Sequence, residues 1–176
     1  MTALKSNDHN IYIRATFVAR LYYVQEFGEE LQDALKLFFD ADGSDEEIEQ
    51  TALKIIWAMN KAENKANGRS TLNFRQWLIH HEGFNIDDCL GDFIAEISNG
   101  FFIESMGEEL PEQAHDNLTQ FLITIAIKLG ISMDELNELT TQALCDILEI
   151  FADTKNNDGE GRAVMATPAE NEAFWR

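Results

Sequence analysis

Apolar residues recur every three or four positions along most of the chain, the period of helices with one buried face. Over residues 11–39, Ile13, Phe17, Leu21, Val24, Leu31, Leu35 and Phe38 fall on one side, which predicts one long helix. Gly43 suits the stop that follows. Ser44-Asp45-Glu46-Glu47 reads as a capping box, in which the serine accepts from the amide three residues on and the glutamate reaches back. Ile48, Ala52, Ile55, Ile56 and Met59 then form the stripe of a second helix to about Ala66, closed by a polar turn at 67–71.

A short third helix is predicted over 72–81, burying Phe74, Trp77 and Leu78, and a fourth over 87–106, turning Leu90, Phe93, Ile94, Ile97 and Phe101 inward. Gly91 and Gly100 lie inside the fourth, where each costs about 1 kcal/mol relative to alanine and points to close packing or a kink. Pro111 is placed for the first turn of a fifth helix, which runs to Leu129 before Gly130. Ser132-Met133-Asp134-Glu135 is a second capping box, with Ile131 and Leu136 as its staple, and opens a sixth helix to about Ala152. Alternating strand-like runs are scarce and connections are short. The pattern therefore predicts an all-α fold, a single-domain antiparallel bundle of five to six helices over 1–153. From 154 to 176 the chain turns rich in Asn, Gly, Asp, Glu and Ala. That composition predicts a flexible tail closed by the aromatic pair Phe174-Trp175, with no internal repeat.

Composition sharpens this picture. Hydrophobic residues make up 45% of the 176, enough for a core despite a net charge of −19. No apolar run reaches the 18 residues of a membrane span, and the N-terminus lacks a charged-then-apolar leader, so a cytoplasmic protein is expected. Cys89 and Cys145 then read as reduced, half-buried thiols, and acids around each argue against a nucleophile. The charge discourages direct nucleic-acid or membrane contact and attracts basic partners. It is also uneven. Residues 1–75 hold 12 Asp/Glu and 9 Lys/Arg; residues 76–154 hold 16 Asp/Glu and only Lys128, a net of 1 − 16 = −15. Like charges at i,i+4 repel, so the rows Asp88/Asp92/Glu96 and Glu26/Glu30/Asp33 need a reason.

Three readings follow. The first is a non-enzymatic binding protein without a cofactor. It would present Asp88, Asp92, Glu96, Glu104, Glu108, Glu109, Glu112 and Asp116 to a basic partner, as DNA mimics that inhibit nucleic-acid-binding proteins and toxin-neutralising immunity proteins do. The second starts from Glu26-Phe27-Gly28-Glu29 and the tract from Leu129 through Leu136. These resemble the all-α nucleoside triphosphate pyrophosphohydrolases, the group of MazG-type enzymes and dimeric dUTPases, which hold Mg²⁺ between an E-x-x-E and an E-x-x-D helix. That resemblance implies Mg²⁺ ligands at Glu26, Glu29, Glu30, Asp92 and Glu96, with Arg14, Arg20 and Lys36 toward the phosphates. The partner motif departs from the pattern, because Asp88 and Asp92 are four apart and Asn99 stands where Glu96 would need an aspartate. The third is a structural or scaffolding subunit that self-associates through an apolar face, for instance as a homodimer. His9, His80, His81 and His115 have no metal-ligand spacing, and 153–159 and 40–45 lack the register of a calcium loop. No nucleophile elbow or glycine-rich phosphate loop occurs.

Overall fold

The first departure from an all-α pattern is at the start of the chain, in a computed structural model that describes residues 1–41, 43–101 and 118–157. The chain is mainly helical, but it opens with a two-stranded antiparallel sheet, β1 (Thr2–Ser6) and β2 (His9–Ile13), with Thr2 opposite Ile13 and Ser6 opposite His9. Asn7 carries the left-handed φ of 51° that a two-residue hairpin turn requires and asparagine tolerates. The inner face of the hairpin, Leu4, Ile11 and Ile13, is at most 1% exposed. Its burial contributes about 1.5–3 kcal/mol per side chain.

The stretch 11–39 is therefore not one helix. It holds the end of β2, α1 (Phe17–Phe27) and α2 (Leu31–Asp40). Gly28 divides the helices: at φ 71° it takes the left-handed cap and donates its N–H to the Val24 carbonyl. α3 (Asp45–Ala66) begins with both hydrogen bonds of the expected capping box, Ser44 with Glu47. α4 (Phe74–His80) starts two residues later than expected, because the Asn73 side chain caps it by accepting from Gln76 N–H. A 3₁₀ turn (Ile86–Cys89) feeds α5 (Leu90–Gly100), and α6 covers Leu118–Lys128. The start expected at Pro111 lies outside the described residues.

The second capping box also forms, and it opens α7 (Met133–Glu138). The sixth helix then breaks. Leu139 is extended, with φ −89° and ψ 136°, and its carbonyl accepts from Phe17 N–H at 2.8 Å instead of from a helical amide. Thr140 Oγ1 accepts from Ala143 N–H, and the chain restarts as α8 (Thr141–Asn157). Residues 154–157 of the expected tail continue α8, and the rest of it lies outside the described residues. Contacts divide the chain into two units, Met1–Cys145 and Asp146–Arg176.

Within the first unit, α3 is the spine. β2, α1 and α2 pack along it, and β1 rests on α5 and the 3₁₀ turn. Phe27, Trp57 and Phe74 form an edge-to-face cluster, with the Tyr23 ring tilted against Phe27 at 4.9 Å. The buried indoles are satisfied: Trp57 Nε1 donates to the Leu72 carbonyl and Trp77 Nε1 to Asn60 Oδ1. Glu63, fully buried on α3, accepts from Arg14 Nε at 2.8 Å and from Asn67 Nδ2. Gly100 answers to close packing, since a Cβ there would sit 2.1 Å from the Ala15 carbonyl oxygen, whereas a Cβ on Gly91 would meet nothing within 4 Å. No helix among the described residues is long and apolar enough to cross a membrane.

Candidate functional site

After Glu82, the acids of the second half continue where Asn85 starts the 3₁₀ turn, its Oδ1 accepting from Asp87 N–H. Asp87 and Asp88 fall in the first turn of that element and Asp92 in the first turn of α5, where unpaired helical N–H groups favour negative charge. The row Asp88/Asp92/Glu96 does not act as one face. Ser6 is clamped on both sides, donating to Asp88 Oδ2 at 2.7 Å and accepting from Asn85 N–H at 2.9 Å. Glu96 accepts from the Thr2 hydroxyl and, at 3.0 Å, from Ala15 N–H. These two carboxylates latch the hairpin to the 3₁₀ turn and to α5, while Asp92 between them is exposed. Glu104, Glu108, Glu109, Glu112 and Asp116 lie outside the described residues. Cys89 is buried beneath this row, and burial, with Asp88 and Asp92 adding to it, pushes its thiol up to about 11. A thiol held protonated in this way is a poor nucleophile. Cys145 is buried as well.

The E-x-x-E tract is divided by Gly28, so its acids leave the helix in different directions. Glu26 on α1 accepts from Phe74 N–H at 3.2 Å. Glu29 lies 3.6 Å from Lys54 Nζ and 3.5 Å from the Tyr23 hydroxyl, whose pKa is raised by burial and then by Glu29. Glu30 caps the start of α6, accepting from Thr119 N–H at 3.3 Å and from its hydroxyl at 2.7 Å. Glu29, Glu30 and Asp33 line one cavity of about 500 Å³, but Asp92 and Glu96 do not border it. Among the described residues no group of three His, Cys, Asp or Glu side chains stands close enough to hold a metal ion. Of the bases that the resemblance points toward phosphate, Arg14 is engaged by Glu63 and Glu138. Arg20 is fully buried and, among the described residues, bonds only Gln32 through Nη2.

Three histidines do meet. The His9 ring stands 5.7 Å from His81, and His81 stands 4.9 Å from His80, with the Trp77 indole 4.5 Å away. His81 Nδ1 is 2.9 Å from the Trp77 carbonyl and His9 Nε2 is 3.0 Å from that of Glu82.

The sequence pattern also missed a second place. Leu90 and Ile94, expected inward, are only half-buried, and so is Ile48 at the head of the α3 stripe. They line a groove beside Phe38 and Phe39. The adjacent Phe38-Phe39 pair, two large apolar side chains at a helix end with their rings edge-on at 5.2 Å, is the signal that could have drawn attention to it. Comparison with family models, curated proteins and solved structures finds no match to this chain.

Proposed function

We propose that the chain is an acidic, mainly helical binding protein that offers carboxylates to a basic partner, and that the partner class is a nucleic-acid-binding protein whose phosphate-contacting Lys/Arg cluster is occupied by them. The observation that supports this is how unevenly the carboxylates are used. The pairs Arg14–Glu63, Arg14–Glu138 and Lys54–Glu29 draw their cations from the first 75 residues. Asp87, Asp88 and Asp92 are exposed, and they stand in no ion pair with a described residue. Neighbouring carboxylates left in water repel each other and raise the local concentration of a cationic surface, so association is steered and salt-sensitive.

Titration of a fluorescent arginine-rich peptide over a salt series tests this. Asp87→Asn/Asp88→Asn/Asp92→Asn keeps the acceptor for Ser6 but removes three charges. It is expected to weaken binding about tenfold at low salt and to flatten the salt dependence. Asp8→Asn/Asp33→Asn/Asp134→Asn removes the same charge from other exposed positions and is expected to cost about twofold. Equal losses in the two variants would leave only net charge at work and sink the assignment of a face.

A further inference from the structure

A half-open groove of about 760 Å³ runs between the end of α2, the start of α3 and the 3₁₀ turn leading into α5. It is open because of two local features. α2 ends at Asp40 with Ala41 in the left-handed region at φ 51°, which turns the chain before Ser44 starts α3. On the other side, the 3₁₀ turn sets Ile86 and Leu90 opposite. The floor is apolar: Phe38, edge-on to Phe93 at 5.4 Å, with Ile48, Leu90 and Ile94, none of which the chain fully covers. The rim is acidic: Asp45 and Glu49 on one wall and Asp87 on the other, and no base among the described residues lines the groove.

The rim charges are not all accounted for by folding. Asp45 lies in the first turn of α3 and Asp87 in the first turn of the 3₁₀ element, where helix ends favour them. Glu49 is beyond that turn, one helical turn above Asp45, so the two repel and neither stands in an ion pair with a described residue. An occupant that inserts apolar side chains and carries lysine or arginine on both flanks satisfies floor and rim together. An open apolar trough with charges on its edges suits an amphipathic helix, whose anchors fall at i and i+3 or i+4, better than a small molecule, which needs polar groups converging inside the pocket.

We infer that this groove is a docking site for a basic amphipathic helix of a partner protein, with its apolar anchors over Ile48 and Ile94 and its cations on Asp45, Glu49 and Asp87. The inference rests on the chain being a ligand for basic proteins, and it adds the apolar seat that charge alone lacks.

Fluorescence anisotropy with the full chain tests it, using an amphipathic lysine–leucine peptide of about 18 residues. Two companions are needed: one with leucines replaced by serine and one with lysines replaced by glutamine. The parent peptide is expected to bind, and loss of the leucines to weaken it about thirtyfold. Ile94→Gln should weaken the parent peptide about tenfold, and Glu49→Gln/Asp87→Asn about fivefold with a shallower salt dependence. Glu49→Arg leaves the apolar floor intact and should lower affinity at least as much, so the inference does not depend on Ile94→Gln folding well, which circular dichroism reads. If the serine peptide binds as tightly as the parent and Ile94→Gln changes nothing, the groove is not used, while the charged-face reading survives. If the glutamine peptide binds as well as the parent, the groove is a purely apolar seat and the basic partner is wrong. If sedimentation shows a dimer that Ile94→Gln dissociates and the peptide cannot displace, a second copy fills the groove and the inference is overturned.

Discussion

At the scale of single residues, Arg20 is the least expected. A guanidinium on α1 with no exposed surface should bond a carboxylate, yet among the described residues its Nε and Nη1 have no hydrogen-bond partner and Nη2 reaches only Gln32. Burial lowers its pKa, opposed by Glu30 and more weakly by Cys145 and Asp33. Replacing a poorly partnered buried cation by an apolar side chain of similar volume removes the desolvation cost and keeps the packing. Arg20→Met is therefore expected to stabilise the protein by about 1–3 kcal/mol, read as a rise in the urea midpoint. A drop would mean that the cation is held by more than Gln32.

His81 gives a second test at this scale. Burial lowers its pKa, and the charges facing it, His80 and His9, act the same way against the Trp77 carbonyl. Folded His81 thus takes up a proton less readily than the unfolded chain, which binds more protons once the pH drops below its ordinary value. The stabilisation is fully present above about pH 6.5 and is lost as pH falls through the folded value. The urea midpoint at pH 5.5 should lie below that at pH 7.5. His81→Asn, whose amide can still donate to the Trp77 carbonyl, should narrow the gap.

At the scale of elements, helices with strong ends were legible in the sequence. Ser44-x-x-Glu47 and Ser132-x-x-Glu135 both form as written, because a capping box is local chemistry over four residues. What failed was periodicity carried across breaks. Ile13 and Phe17 share a helical spacing, but Ile11 and Ile13 also alternate with Tyr12 opposite β1, and five-residue strands are too short for that period to stand out. Gly28 interrupts the same run, because its left-handed φ ends α1 where the apolar spacing alone continues. The break at Leu139 could not have been read, because its cause is the Phe17 amide, 122 residues away along the chain. The candidate site fared similarly. The excess of acid was plain, but its division into latches and exposed groups was set by a hairpin that the pattern missed. Glu96→Ala removes the acceptor for Thr2 and Ala15 and is expected to cost about 2 kcal/mol. Amide exchange of β1 and β2 should speed up more than that of α3.

At the scale of the whole molecule, a charge of −19 on 176 residues works against compaction. Raising sodium chloride from about 20 mM to about 200 mM should increase Tm by about 3–6 °C, because screening acts on exposed carboxylates and leaves the Arg14–Glu63 pair, whose glutamate is buried, nearly untouched. The same salt that steadies the fold should loosen a basic partner. Opposite signs in the two titrations would show that one set of charges governs both.

The double duty of α5 has a mechanical outcome. Thr2 and Ala15 hold Glu96 with neutral donors, while Asp92, one turn earlier, is open to any cation that arrives. A guanidinium seated on Asp92 and reaching along the helix competes with those donors for the same oxygens. Occupancy of the surface would then be felt as slack at the N-terminal ribbon, which gives binding a readout in an element other than the helix that carries the ligand.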